Sequence, residues 1–282
     1  MPPAKREAAG YLVAEHGLSK TKACAAVGLS RAAFYRTPRG HSDDGEIIEA
    51  LNELVEQHVR WGFWKCFDRL RLDGHPWNHK RVLRVYRTMR LNLARRTKKR
   101  LPTREPHPID VEARPNAVWG IDFMSDSLYG GRRFRTFNIL DEGVREALDI
   151  VIDTSIPAQR VVRTLENLVS WHGVPEVIRC DNGPEFLAQV FVDWCERHQI
   201  SIRYIQPGKP NQNAYVERFN RTYRGDVLNA YLFETLDQVR NITKKWLRDY
   251  NERRPHDALG RVPPSMFRRG VEAGISTLAL ST

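Results

Sequence analysis

Apolar residues recur along this chain with two different periods, and the change from one to the other falls near residue 117. Up to that point the spacing is helical. Within a small helical stretch over residues 5–36, Ser19 to Val27 predicts one short helix, Gly28-Leu29 a turn, and Ser30 the cap of a second. Residues 37–45 have a linker's composition. Ile47, Leu51 and Leu54 mark another helix, and Trp64, Phe67 and Leu70 the next. Gly74 to Trp77 break the pattern, and Asn78 can cap a third helix with Val82, Val85, Tyr86 and Met89 on its apolar side. Both helix pairs have helix-turn-helix spacing, which a plain helical hairpin shares.

From Ala117 onward short apolar runs replace the helical period. Residues 118–124 are apolar on both alternations, as in a central strand covered on both faces, with one carboxylate, Asp122, in the middle. Residues 132–140 and 145–153 predict two more strands, so the first three form an antiparallel meander. Pro157 opens a crossover helix with Val161, Val162, Leu165, Leu168, Val169 and Trp171 as its apolar side, ended by Gly173. A fourth strand over 174–180 delivers Asp181 at its end. One helix from Pro184, holding Phe191, Trp194 and Cys195, leads to a fifth strand over 200–205. After the loop 206–211, Val216, Phe219, Tyr223 and Val227 mark an amphipathic helix from about Gln212. Leu236, Val239, Ile242, Trp246 and Tyr250 mark the last long helix, and 251–260 a closing loop. The expected fold class is α/β, a mixed five-stranded sheet flanked by helices behind an all-α N-terminal region. The expected domains are residues 1–41, 42–110 and 111–282.

Composition narrows the partner. A net charge of +11 and a pI near 9.7 favour a polyanion, because neutralising phosphates releases counterions. The cations concentrate in Lys80, Arg81, Arg84, Arg87 and Arg90 and then in Arg95, Arg96, Lys98, Lys99 and Arg100, with almost no acidic compensation. Such a segment tracks a phosphate backbone better than it folds. Pro102, Pro106, Pro108 and Pro115 then act as a spacer. Cys24, Cys66, Cys180 and Cys195 are far apart without C-x-x-C pairing and read as reduced cytoplasmic thiols rather than zinc ligands or a disulfide framework. The Met1 to Arg6 start does not read as a signal peptide, and no apolar run approaches the roughly 20 residues of a membrane span.

Three acids stand out by position: Asp122 in the first strand, Asp181 at the end of the fourth, and Glu217 on the helix after the fifth. Taken singly, each has an ordinary reading as a strand acid, a turn former or a surface ion pair. In this topology the first and fourth strands are neighbours and the helix crosses near their ends, so the three converge. Convergent carboxylates need a cation between them, and hard oxygen ligands without a His or Cys cluster favour Mg²⁺ or Mn²⁺. A pair of such ions about 3.5–4 Å apart suits phosphodiester displacement. Arg221 and Arg224 share the Glu217 side of its helix and can steady a phosphate; Lys209 and Asn213, in and after the preceding loop, can contact DNA.

From about Val118 to Phe267 the chain resembles the catalytic domain of the retroviral integrase superfamily, specifically the OrfB-type transposases of the bacterial insertion sequence family three. The resemblance rests on Trp-Gly-Ile-Asp122, Cys-Asp181-Asn-Gly-Pro-Glu-Phe, Gln-Asn-Ala-Tyr-Val-Glu217-Arg-Phe-Asn-Arg and Tyr250-Asn-Glu-Arg-Arg-Pro-His256. Thirty-five residues separate Asp181 from Glu217, as in the family's aspartate, aspartate, 35, glutamate signature. Residues 42–100 also look like the helix-turn-helix-like part of these proteins. Cys180 and Pro263-Pro264 depart from the usual residues at their positions, neither of them a ligand.

The resemblance implies a ribonuclease H-like core, with Asp122, Asp181 and Glu217 as metal ligands and Arg224 at the family's basic position after the glutamate. It implies a bacterial transposase that binds the terminal inverted repeats of its element and a target duplex, nicks the end, and joins the 3′-hydroxyl to a second phosphodiester. Two ends need two sites, so a homo-oligomer is expected, and a helix-turn-helix protein from an upstream reading frame is a further partner. The rival readings are a non-catalytic DNA-binding repressor and a ribonuclease H-like nuclease that cuts without joining.

Overall fold

The computed structural model describes residues 2–35, 44–93, 112–206 and 213–274 of the chain. They group into two units, Met1–Glu49 and Ala50–Thr282.

The first unit holds three short helices, α1 (Pro2–Ala14), α2 (Lys20–Ala26) and α3 (Arg31–Tyr35). Serines start the latter two: Ser19 Oγ accepts from the Lys22 N–H at 3.4 Å and Ser30 Oγ from the Ala33 N–H at 3.2 Å. The buried side chains Ala9, Ala23 and Cys24 are small, so the helices approach closely, and Arg6 Nη2 on α1 donates to the Ala33 carbonyl at 3.0 Å.

Helix α4 (Asp44–Gln57) spans the division between the units and, in the second, buries Leu51 and Leu54. It is followed by α5 (Phe63–Leu72) and by α6 (His79–Thr88), whose cap Asn78 accepts from the Lys80 N–H at 2.9 Å. Cys66 and Leu70, four apart, take the inward places of α5, so Trp64, expected on the apolar side, is instead half-exposed beneath the Arg261 guanidinium at 5.2 Å. Helix α5 is fastened to the C-terminal part of the chain. Lys65 Nζ donates to the Pro255 carbonyl at 2.9 Å and Arg69 Nη1 to that of Arg253 at 3.4 Å.

The sheet comprises β1 (Val118–Ser127), β2 (Arg133–Asp141), β3 (Glu146–Asp153), β4 (Val177–Cys180) and β5 (Ser201–Tyr204) in the order β3-β2-β1-β4-β5. The first three pair antiparallel, and β1/β4 and β4/β5 pair parallel. This mixed sheet with helices on both faces follows the expected element order, and it is the ribonuclease H-like arrangement that the family resemblance implies. On one face Trp119, Ile121, Phe137, Ile139 and Ile178 pack under α7 (Ala158–His172), α8 (Pro184–Leu187) and α9 (Gln189–Arg197). On the other, Met124, Phe134, Leu140 and Ile150 pack under α10 (Ala214–Tyr223) and α11 (Leu236–Glu252). The alternation of inward places along β1 and β2 follows directly from the two-residue strand repeat.

Several local expectations change. The helix from Pro184 is two, because Ala188 is extended at ψ 136°. Trp171 is 85 % exposed, since the inward place after Leu168 falls four residues on, at His172. Gly173, at φ 91°, then ends the helix where an L-residue would be strained. Val227 belongs to a π-helical turn, Arg224–Leu228, that continues α10. Pro264, at the first position of an unforeseen helix α12 (Pro264–Glu272), has no N–H to lose there. Among the described residues no helix is long and apolar enough to cross a membrane.

Candidate active site

The parallel pairing of β1 and β4 matches Gly120 with Arg179. Asp122 lies two residues beyond that pairing on β1 and Asp181 directly follows β4, so the two acids fall at the same end of neighbouring strands, and the Asp122 carboxylate is bonded to Asn220 on α10. Glu217 lies in the first turn of that helix, beside the buried residues Val216, Phe219 and Asn220 that fix it to the sheet. Asp122 and Glu217 are partly buried and Asp181 is exposed.

Burial pushes the Asp122 carboxyl up to about 6, and the charges of Asp181 and Glu217 act in the same direction; the Phe123 N–H and the Asn220 amide oppose them. Asp181 and Glu217 therefore each lie within electrostatic reach of Asp122. They do not form a closed cage: among the described residues no three His, Cys, Asp or Glu side chains stand close enough to ligate a single ion. The donor set is nonetheless all carboxylate oxygen, which suits a hard divalent cation. Cys180, next to Asp181, is fully buried, and burial holds its thiol well above the ordinary range.

Each aspartate is oriented by local donors. Asp122 Oδ1 accepts from the Phe123 N–H at 2.8 Å and its Oδ2 from Asn220 Nδ2 at 2.7 Å. Asp181 Oδ1 accepts from the Gly183 N–H at 3.0 Å, and Asn182 Nδ2 donates to the Ile205 carbonyl at 3.0 Å, tying the end of β4 to the end of β5. Asn220 is held in turn by Asn138 on β2, whose Nδ2 donates to Asn220 Oδ1 at 2.6 Å. Asn220 and Asn138 were not singled out in the sequence, although both left a signal. Asn220 follows Glu217 by three residues on the same helix, and Asn138 is the residue directly opposite Asp122 in the β1/β2 hairpin.

The remaining predicted residues are scattered. Arg221 is exposed at the last turn of α10. Arg224 is turned back onto β1, with Nη2 donating to the Ser125 carbonyl at 2.9 Å and Nη1 3.2 Å from Asp126 Oδ2. Asn213 is buried at 2 % exposure rather than displayed on a loop, and its Oδ1 has no partner among the described residues. Lys80 and Arg84 are exposed on α6, while Arg81 is half-buried. Lys209, Arg95, Arg96, Lys98, Lys99 and Arg100 lie outside the described residues, as do residues 37–43 of the predicted linker and three of the four spacer prolines.

Comparison with known proteins agrees with this architecture. Two integrase core domain models match residues 112–210 and 198–264, and an HTH-like domain model matches 42–100. A protein of insertion element IS476 from Xanthomonas euvesicatoria is 37 % identical over 266 residues, covering 94 % of this chain and 77 % of the relative. A protein of insertion element IS407 from Burkholderia multivorans is 36 % identical over 250 residues, covering 89 % of this chain and 90 % of the relative. The catalytic core domain of HTLV-2 integrase, solved in complex with magnesium, aligns with 56 % of this chain and 99 % of its own at 21 % identity and a TM-score of 0.46. An integrase core implies an enzyme of the polynucleotidyl transferase type. The chain thus belongs to the OrfB-type transposases of the bacterial insertion sequence family three, within the retroviral integrase superfamily.

Proposed function

We propose that Asp122, Asp181 and Glu217 form the catalytic triad of a transposase that cleaves the ends of its element and joins them to a second DNA site. The observation that carries this reading is the field at Asp122: a half-buried carboxylate pushed up to about 6 by burial and by two further acids, in an integrase core. Such a trio is unfavourable unless a cation resolves it. The all-oxygen donor set favours Mg²⁺ or Mn²⁺, and two ions per site would suit phosphodiester displacement. When bound, these ions would supply Lewis acidity to the attacking oxygen and charge stabilisation to the leaving one.

The chain's own residues supply the geometry. Asp122 and Asp181, at the same end of neighbouring strands, would share the ions, and Glu217 would complete the second position. In the first step water attacks the phosphodiester at the element end, and the released strand keeps a 3′-hydroxyl. In the second that hydroxyl attacks a target phosphodiester and displaces a new 3′-hydroxyl. Exposed Arg221, followed by Lys80 and Arg84, would steady DNA phosphates, whereas Arg224 acts by bracing β1. The substrates would be terminal inverted repeats and target duplex, bound by a homo-oligomer, with an upstream-frame helix-turn-helix protein as a further partner.

The test incubates the purified chain with labelled element-end DNA and Mg²⁺. Wild type is expected to give nicked and joined products, and Asp122→Asn and Glu217→Gln neither. Equal product from all three would sink the triad. Cut ends without any joined product would favour a nuclease, and DNA binding untouched by any treatment of the acids, with no product, a repressor.

A further inference from the structure

Asn138 is fully buried in the middle of β2, surrounded along its face of the strand by Phe134, Thr136 and Leu140. It lies directly opposite Asp122 in the hairpin register, and its Nδ2 donates not to Asp122 but to Asn220 Oδ1 at 2.6 Å. Its own Oδ1 is buried and has no partner among the described residues. A buried acceptor left unpaired is destabilising, and an apolar residue at this place in a sheet core would avoid that cost. The asparagine leaves its own acceptor unpaired in order to serve another residue, and its one bond, to Asn220, is the reason for it here.

That bond decides which end of the Asn220 amide faces the site. An ionised Asp122 can only accept, so Asn220 must present its NH₂, as it does at 2.7 Å. Its carbonyl oxygen then points inward, where Asn220 itself is only 7 % exposed and a donor is required. We propose that Asn138 is a positioning residue that acts through Asn220: it holds the amide with its NH₂ toward Asp122, so that one lone pair of Oδ2 is occupied and the remaining ones face Asp181 and Glu217. The Phe123 N–H does the same for Oδ1 from the strand itself, at 2.8 Å. The carboxylate is thus presented with a fixed plane before any cation arrives. This inference rests on the triad reading given above.

The experiment measures Mn²⁺ binding to the full chain by titration calorimetry, together with thermal melting without divalent cations. The variants are Asn138→Leu, Asn220→Leu, the double variant, and Thr136→Val as control. Thr136 is also fully buried on the same face of β2, and among the described residues its hydroxyl makes no hydrogen bond, to Asn220 or otherwise. Asn138→Leu is expected to weaken Mn²⁺ binding about tenfold, the usual effect of removing an outer support from a metal site, while staying folded with a melting temperature lowered by the donor that Asn220 Oδ1 loses. Asn220→Leu should weaken it at least as much, the double variant no more than Asn220→Leu, and Thr136→Val not at all. Should leucine not be accommodated, Asn138→Ala is read in the same way. Wild-type affinity in a folded Asn138 variant, or a further tenfold loss in the double variant, would overturn the positioning role. A wild-type chain that binds no Mn²⁺ would instead bring down the triad reading on which it rests.

Discussion

Asp122 carries a cost that its neighbours do not relieve. Its carboxyl titrates at about 6 in the fold against 3.8 in an unstructured chain, chiefly because it is buried. The folded state therefore binds this proton more tightly than the unfolded one, and stability is lost as pH rises from about 4 to about 6. Asp122→Asn should remove the loss. At pH 7 without divalent cations the variant is expected to be more stable by on the order of 1–2 kcal/mol, and at pH 4 to match wild type, while its strand-cleavage activity is abolished. Equal melting at both values would remove the electrostatic argument. Gly120 is the residue-scale counterpart. A Cβ there would lie 2.5 Å from Glu142 Oε1, and Glu142 is fully buried against Arg179. Gly120→Ala must displace a buried ion pair within the sheet, so the denaturation midpoint should fall by about 2–4 kcal/mol in stability. The sequence marked Gly120 only as part of a motif; its reason, the approach of Glu142 from the turn after β2, is a tertiary contact.

At the scale of elements, the turn after α10 shows how two similar glycines differ. A Cβ on Gly225 would lie 1.1 Å from Arg60 Nη1, nominally a worse clash than at Gly120. The obstructing atom, however, ends a flexible side chain that is 55 % exposed, so it can swing away. Gly225→Ala is expected to change stability by less than about 1 kcal/mol, measured by the same denaturation. The π-helical turn also explains why Arg224 does not join Arg221 in solvent: the extra residue in the turn accompanies a side chain directed to Ser125 and Asp126. Helical spacing alone put both arginines on one side. Just past the end of α4, His58 stacks on Trp61 at 3.8 Å with its Nε2 buried and unpartnered. Asp249 Oδ2 lies 3.6 Å away, yet burial, followed by Arg253, Arg254 and Arg69, lowers the ring to about 4 from 6.5. The unfolded chain binds this proton more tightly, so stability is intact above about pH 6.5 and lost as pH falls toward 4. His58→Gln should flatten that acid limb by on the order of 1–3 kcal/mol, read as the difference between variant and wild-type melting across pH 4–7.

For the whole molecule, a net charge of +11 in an integrase-family chain makes DNA affinity a matter of salt. If Arg95, Arg96, Lys98, Lys99 and Arg100 each neutralise a phosphate, changing all five to glutamine should reduce the slope of log affinity against log salt by about 4–5. An unchanged slope in a filter-binding or anisotropy titration would assign the phosphate contacts elsewhere. The scaffold also joins the family's two segments: Lys65 and Arg69 of α5, within the HTH-like match, donate to carbonyls of the Arg253 to Pro255 stretch of the second core match. The Tyr250 to His256 motif, which the sequence presented only as a family mark, is thus the place where the helical segment is held to the catalytic one.

By itself the sequence determined the element order, the three-strand meander, the parallel crossovers and the positions of Asp122, Asp181 and Glu217, because periodicity, turn chemistry and residue spacing are all local in the chain. It also determined that Glu217 belongs on an amphipathic helix. It could not say which polar residues inside the sheet support that site, since Asn138 and Asn220 are 82 residues apart and meet only when α10 packs on β2. Nor could it separate an arginine left in solvent from one bonded to a strand, or Trp171 at a helix end from the tryptophans of the core. Those distinctions depend on which faces meet in space, and a face acquires its neighbours only in the folded chain.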